Sequence, residues 1–226
     1  MPLSGPYPCP NLNVCSMICV SISDPVQIAP ALQSGAGIIE LRFDLIRVHP
    51  DKIYPLVPHG TRTVATCRPG EYPEEQRVKM LISAIELGAS YVDLELESTV
   101  DFTKPLMEAA ESNGCDVIFS HHDFRATPSA RELQLLLESC YKRGGAVGKI
   151  ATQVLNQADV LNLISLFKLP GRKVVLGMGK KGRITRVAGP YLGGEFTFAS
   201  PGDGEETAPG QLSLAQLQMI YKTIGQ

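Results

Sequence analysis

Short apolar runs alternate with amphipathic stretches along most of the chain. The first run is followed by Asp24 and Pro25, a helix N-cap with proline at the first helical position. The second run begins after Ser34 and Gly35, a typical helix stop. The same unit recurs, and it predicts eight strands at residues 17–22, 37–44, 62–67, 91–97, 116–122, 146–152, 173–178 and 195–200. The amphipathic stretches predict helices at about residues 25–34, 74–87, 104–112, 127–140, 157–167 and 213–223.

This alternation predicts a parallel sheet with right-handed crossover connections. Eight such units in 226 residues close most naturally into a (β/α)₈ TIM barrel, an α/β fold. An open doubly wound sheet is the alternative, but it requires a glycine-rich phosphate turn after the first strand, which residues 21–25 do not provide. We therefore expect a single barrel domain over residues 1–226, with residues 1–16 as an N-terminal arm or hairpin.

Composition and charge are those of an ordinary globular protein. Hydrophobic residues make up 44% and charged residues 19%, and the formal net charge of −2 argues against nucleic acid or a membrane surface as a partner. No apolar run approaches the roughly 20 residues of a bilayer span. The first six residues lack the plan of a signal peptide, so we expect a cytoplasmic location. The six cysteines lack the spacing of a zinc site or disulfide framework, which predicts buried, reduced thiols.

Charged side chains share one face of two predicted strands. Glu40, Arg42 and Asp44 alternate with apolar residues in the second strand, and carboxylates recur at positions 93, 95 and 97 of the fourth. Because the apolar face packs against helices, the charged face must point into the barrel. A structural ion-pair network is one explanation. A polar pocket at the carboxyl ends of the strands, where TIM barrels hold their active sites, is the other.

Lys149 lies in the sixth predicted strand, among small and β-branched residues. Since buried lysines are rare without a partner or a purpose, it is either a snorkelling side chain or an amine that attacks a carbonyl. Burial and nearby positive charge favour the neutral amine. Three arginines could supply that charge: Arg42, Arg68 and Arg186. A histidine of the fifth strand could then move a proton beside an iminium, although strand alternation alone does not choose between His121 and His122.

Six short motifs follow one another in a recognisable order. They are ELRFD at 40–44, VDLELE at 92–97, HDF at 122–124, KIA at 149–151, ITRVAG at 184–189 and APGQ at 208–211. Together they resemble the type I 3-dehydroquinate dehydratases of the shikimate pathway, over about residues 17–223. The resemblance implies a (β/α)₈ barrel lyase that converts 3-dehydroquinate to 3-dehydroshikimate by syn elimination, with neither a metal nor a cofactor. It also implies a homodimer.

The same resemblance implies roles for individual residues. Lys149 matches the lysine that forms a Schiff base with the substrate, and His122 matches the general acid/base. The substrate-binding matches are Glu40, Arg42, Arg68, Arg186, Thr207 and Gln211, with Arg186 facing the substrate carboxylate. Thr207 replaces the usual serine and lies with Gln211 in a long loop after the eighth strand, which is either a lid or a plain flexible loop.

One segment departs from the family pattern. Where the family commonly has a glutamate that orients the catalytic histidine, this chain has Tyr72, with Glu71 one residue earlier. The carboxylate partner of the histidine is therefore left unassigned. Two other hypotheses stay open: a class I aldolase-like barrel, which also uses a strand lysine, and a non-catalytic barrel from a fused shikimate-pathway protein.

Overall fold

The computed structural model describes residues 14–225, apart from the side chain of Cys15. Its parallel strands are β1 Ile18–Ile22, β2 Ile38–Arg42, β3 Arg62–Thr66, β4 Tyr91–Glu95, β5 Asp116–Asp123, β6 Val147–Gln153, β7 Arg172–Met178, β8 Thr197–Ser200 and the short β9 Leu212–Ser213. The helices are α1 Ile28–Gln33, α2 Phe43–Ile46, α3 Pro50–Ile53, α4 Glu74–Glu86, α5 Val100–Asn113, α6 Ala130–Lys142, α7 Gln157–Ser165, α8 Arg183–Tyr191 and α9 Leu214–Ile224.

The eight main strands wrap into a nearly closed barrel with helices outside, which confirms the predicted TIM barrel. Their spatial order is β7-β6-β5-β4-β3-β2-β1-β8, with β9 beside β8. Among the described residues no ladder of paired residues joins β7 to β8. At that seam the backbone N–H of Glu195 donates to the carbonyl of Lys173 at 2.8 Å.

Alternation along the strands separates two apolar regions. Ile39 and Leu41 belong to the core between the strands and helices, as their spacing predicted. A smaller cluster fills the lower barrel interior and includes Cys19, Ile38, Val64, Ile118, Val147 and Val174. Above it, towards the carboxyl ends of the strands, buried polar side chains replace the apolar ones: Ser21, Glu40, Thr66, Asp93, Ser120 and Lys149. Along each of β1 to β6, the polar residue lies two positions after the apolar one, at the next position that faces the barrel interior.

Side-chain caps fix where several helices begin behind the strands. Capping boxes join Ser129 to Glu132, Asn156 to Asp159, and Ser213 to Gln216 at the starts of α6, α7 and α9. Each box satisfies two backbone N–H groups at the start of its helix, which favours initiation of the helix at that residue.

Two predicted strand ends need correction, and a third prediction falls outside the described residues. The second strand ends at Arg42 rather than residue 44, because Phe43 turns into the core as the start of α2 and Asp44 folds back onto Arg42. Likewise, β4 ends at Glu95 rather than residue 97. Residues 1–13 of the predicted arm lie outside the described chain.

The described cysteines Cys19, Cys67, Cys115 and Cys140 are free and buried, as expected. None of the helices in residues 14–225 has the length and apolar character to cross a membrane.

Candidate active site

A cavity of about 480 Å³ opens at the carboxyl ends of the strands. It is lined by every residue that the sequence singled out for the site: Glu40, Arg42, Arg68, His122, Lys149, Arg186, Thr207 and Gln211. These residues are separated by up to 171 positions in the chain, and only the closed sheet brings them together. The cavity lies where ligands bind in barrels of this type.

Lys149 is buried within the cavity wall and is only 4% exposed. Its Nζ donates to Asp93 Oδ2 at 2.8 Å and lies 3.9 Å from Glu40 Oε1. The Phe198 ring lies below the ammonium group, 4.1 Å from Nζ to the centroid. The charged groups in contact with Nζ are therefore carboxylates, whereas the sequence had suggested arginines. Because the side chain ends inside the barrel, Lys149 is not a snorkelling residue.

Asp93 is the centre of a buried charge cluster. Its Oδ1 accepts from Ser120 Oγ at 2.5 Å and lies 2.9 Å from Arg68 Nη2, while Oδ2 faces Lys149. Burial alone raises the pKa of the Asp93 carboxyl, but the adjacent Arg68 and Lys149 charges outweigh it and hold that pKa well below its usual range. Asp93 is thus a fixed anion between two cations.

Glu40 connects the base of the cavity to the loop after β8. Its carboxylate accepts from Ser21 Oγ at 2.7 Å and from Thr66 Oγ1 at 3.0 Å. Gln211 Nε2 reaches Ser21 Oγ at 3.4 Å, and Gln211 Oε1 accepts from the Thr207 backbone N–H at 2.8 Å. A continuous hydrogen-bonded chain therefore runs from the loop to the carboxylate beside Lys149.

Arg186 comes from α8 and is 1% exposed. Its Nη1 donates to the Phe198 carbonyl at 3.4 Å, and its Nε has no hydrogen-bond partner among the described residues. Burial, with a further contribution from Arg183, lowers the pKa of the Arg186 guanidinium to about 10. The group therefore stays charged at neutral pH and can bind an anion.

The two adjacent histidines face different surroundings. His122 is half-buried in the cavity. Its ring stacks on that of Phe124, with the two centroids 6.3 Å apart and the ring planes nearly parallel. Burial first, and then the charges of Arg68 and Lys149, hold the pKa of His122 well below its ordinary value, so the ring is neutral at pH 7. His121 points to the other face, where its Nδ1 contacts Glu97. The structure thus makes the choice that alternation left open, and His122 is the histidine of the cavity.

The loop after β3 provides no carboxylate partner for His122. Glu71 forms an ion pair with Arg47 at 2.9 Å instead. Within residues 14–225, neither Glu71 nor Tyr72 has a hydrogen bond or ion pair with His122. The same part of the chain contains no group of His, Cys, Asp and Glu side chains that could hold a metal ion.

Sequence reasoning missed three hydroxyl groups of the site. Ser21, Thr66 and Ser120 each donate to one of the buried carboxylates. Serine and threonine are common in strands of every kind, so no spacing or motif distinguished them. The only available signal was their position on the inward face, shared with Glu40 and Asp93.

Comparison with known proteins identifies the family. Residues 15–226 match the family description "Type I 3-dehydroquinase". The chain belongs to the type I 3-dehydroquinase family. A 3-dehydroquinate dehydratase of Methanocaldococcus jannaschii is 33% identical over 223 residues, which cover 91% of this chain and 98% of that protein. One from Desulfotalea psychrophila is 31% identical over 220 residues, covering 90% and 96% of the two chains.

Solved structures give the same assignment for this type I 3-dehydroquinase family member. The crystal structure of the 3-dehydroquinate dehydratase from Aquifex aeolicus superimposes with a TM-score of 0.79 at 26% identity. That match covers 92% of this chain and 98% of the other. The family assignment favours the dehydratase hypothesis over the aldolase-like alternative.

Proposed function

We propose that this chain is a lyase that dehydrates 3-dehydroquinate to 3-dehydroshikimate through a Schiff base on Lys149, with His122 as the general acid/base. The observation that carries the proposal is the placement of a buried amine and a neutral imidazole in the wall of one cavity. Family membership supports the substrate.

In the proposed reaction the neutral Lys149 amine attacks the C3 ketone of the substrate, and loss of water gives an iminium. The iminium withdraws electrons and so acidifies the adjacent C2–H bond. Since His122 is unprotonated at pH 7, it can accept the C2 proton and return it to the departing C1 hydroxyl. Hydrolysis of the iminium then releases the enone and restores the amine. The net change is loss of one water.

Attack on the ketone requires the unprotonated form of the Lys149 amine. The neutral His122 imidazole accepts the proton that Lys149 releases and returns it to the carbinolamine hydroxyl, which leaves as water. The Asp93 and Glu40 carboxylates lie 2.8 Å and 3.9 Å from Nζ. These carboxylates then stabilise the positive charge that returns with the iminium nitrogen. The cluster therefore suits the intermediate as well as the resting ammonium.

The rest of the cavity suits a polyhydroxylated carboxylate. Arg186 offers a buried guanidinium to the carboxylate of the substrate. Glu40, Arg42 and Arg68 lie where they can bind ring hydroxyls, and Thr207 and Gln211 close the cavity from the loop above.

Borohydride trapping tests the proposed covalent step. Reduction in the presence of 3-dehydroquinate should add the mass of the reduced substrate to the peptide that contains Lys149. Lys149→Ala should abolish both the adduct and turnover, because no other described residue that lines the cavity carries a primary amine. Turnover is followed by the absorbance of the conjugated enone product.

Lys173 provides a matched control, because it is also a buried strand lysine, 4% exposed, but donates to the carbonyls of Leu169 and Gly171. Lys173→Met should keep the adduct. His122→Ala should lose turnover while retaining adduct formation in part. An adduct on another lysine, or full activity in Lys149→Ala, would contradict the proposal.

A further inference from the structure

The pairing of β5 with its two neighbours is unequal at the mouth of the barrel. On the β6 side the ladder continues to Asp123, which pairs with Thr152. On the β4 side it stops at Ser120, and the last backbone bond runs from the Leu96 N–H to the Ser120 carbonyl at 2.8 Å. The segment 121–123 therefore has a backbone partner on one side only. His122 lies in the middle of this segment.

A side-chain contact lies where the β4–β5 ladder ends. Glu97, in the loop that follows β4, contacts His121 Nδ1 through its Oε1. The His121 side chain is 18% exposed and that of Glu97 is 60% exposed. This contact links the unpaired side of β5 to the next loop.

The loop that carries Glu97 is itself anchored. The Arg143 guanidinium from the end of α6 donates to the carbonyls of Leu96 and Ser98, the latter at 2.9 Å. Arg143 also packs on the ring of Phe119, at 4.9 Å from the centroid, on the same face of β5 as His121. Glu97 therefore sits between two fixed carbonyls, so it is a firm point of attachment for His121.

His122 has no such restraint of its own. Among the described residues its imidazole makes no hydrogen bond or ion pair, and its ring contacts Phe124 by stacking alone. We propose that Glu97 and His121 form a positioning pair that holds the carboxyl end of β5, and with it the His122 imidazole, at the mouth of the barrel. This inference rests on the proposed function, in which His122 moves the proton.

The surroundings of His122 give the pair a measurable consequence. The groups that act on its charge are Arg68 from the end of β3, Asp93 from β4, Lys149 from β6 and the neighbouring His121. Burial is the largest cause of the low pKa of His122. If the end of β5 loosens, water reaches the ring, and the pKa rises towards 6.5, its ordinary value.

Glu97→Ala and His121→Ala test the pair through kinetics and through NMR titration of the His122 ring. Both variants should lower kcat about tenfold and leave KM within about twofold, because orientation rather than binding is lost. Both should shift the acidic limb of the kcat profile to higher pH. The ring titration, assigned with His122→Ala, should move in the same direction without any substrate present.

Glu97→Gln is the conservative rescue, because its amide oxygen still accepts a hydrogen bond from His121. It should restore kcat to within about threefold of the wild type and return the titration to its original midpoint. Glu86→Ala removes an exposed glutamate on α4 whose side chain has no partner within residues 14–225, and it should change neither measurement.

The proposal is wrong if Glu97→Ala keeps both the wild-type kcat and the wild-type His122 titration. A loss of thermal stability alone, with those two unchanged, equally contradicts it, since that would be a purely structural contact. A wild-type protein without dehydratase activity would contradict the proposed function instead. In that case the titration still decides whether Glu97 and His121 hold His122.

Discussion

At the scale of single residues, Arg186 shows how burial prepares a binding site. A guanidinium is rarely buried without an acidic partner, because removing its charge from water is costly. Within residues 14–225 no carboxylate forms an ion pair with Arg186, and its Nε is unsatisfied. The cost is offset only when an anion enters the cavity. Arg186 therefore favours a carboxylate ligand over a neutral one of the same shape.

Replacing Arg186 should affect substrate binding more than stability. Arg186→Ala is expected to lower kcat/KM about 100-fold, since it removes a charge-assisted contact in a buried site. Arg186→Lys keeps the charge but loses the planar fork, so a loss of about tenfold is expected. Steady-state kinetics with 3-dehydroquinate measure both.

Arg183→Ala is the matched control, because Arg183 is an exposed arginine on the same helix. It should leave kcat/KM within about threefold of the wild type, since exposed charges interact weakly. Equal losses in the Arg183 and Arg186 variants would show that net charge, and not the buried contact, governs binding.

Sequence predicted those site residues whose charge is unusual for their position in a strand. An isolated lysine in an apolar strand and charged residues on one strand face pointed to Lys149 and Glu40. Their partners were not predictable in the same way. The contact of Lys149 with Asp93 joins β6 to β4 across the barrel, and such a distance depends on closure rather than on spacing.

At the scale of elements, hydrogen bonds to Ser21, Gln27 and Gly179 join the loop 201–211 to the rest of the barrel. Gln211 Oε1 accepts from the backbone of Thr207 and Ala208 within the loop itself. Earlier in the loop, Glu205 Oε1 accepts a hydrogen bond from Gln27 Nε2 at 2.8 Å. This second contact ties the loop to the start of α1. It is exposed, so it can break without unfolding the barrel.

Glu205→Ala should loosen the loop 201–211 and raise the KM for 3-dehydroquinate about threefold, because one hydrogen bond to a charged group is lost. The value of kcat should stay near that of the wild type. Adding Gln27→Ala to Glu205→Ala should have no further effect on KM if the two side chains act through their mutual contact.

Asp203→Ala is the control for this loop. Asp203 is exposed on the same turn and makes no side-chain hydrogen bond among the described residues. Its replacement should leave KM unchanged. A rise in KM as large as that of Glu205→Ala would mean that loop charge, rather than the contact with Gln27, determines the KM.

Element boundaries show where sequence patterns fail. The fifth helix was predicted from residue 104, next to Pro105, but it begins at Val100, because Thr99 Oγ1 caps it by accepting from the Phe102 N–H at 3.2 Å. Pro105 is the sixth residue of α5, so it lies beyond the first turn and cannot donate a backbone hydrogen bond to the carbonyl of Asp101, yet the helix continues past it. The short α2 and α3 were not predicted, since four-residue helices are too short to show periodicity.

At the scale of the whole molecule, the two ends of the barrel serve different purposes. The fold itself was predictable, because regular alternation of strands and helices permits few topologies. The break in strand pairing between β7 and β8 among the described residues was not predictable, since no sequence pattern marks it. At the amino end Arg172 crosses this seam, with Nη2 donating to Glu195 Oε1 at 2.7 Å. Tyr91, 4% exposed, donates to the same carboxylate at 3.0 Å.

This seam cluster predicts a variant that loses stability but keeps activity. Glu195→Ala removes the carboxylate that joins Arg172 and Tyr91, so the free energy of unfolding should fall by about 1–2 kcal/mol. The melting temperature should drop by a few degrees, while kcat and KM stay unchanged because the cavity lies at the other end of the strands. Glu75→Ala, which breaks an exposed pair with Lys79 on α4, should alter neither property. If Glu195→Ala lowers kcat/KM as well as the free energy of unfolding, the two ends of the barrel are coupled. Stability would then not be separable from catalysis in the way that the apolar and polar layers of the interior suggest.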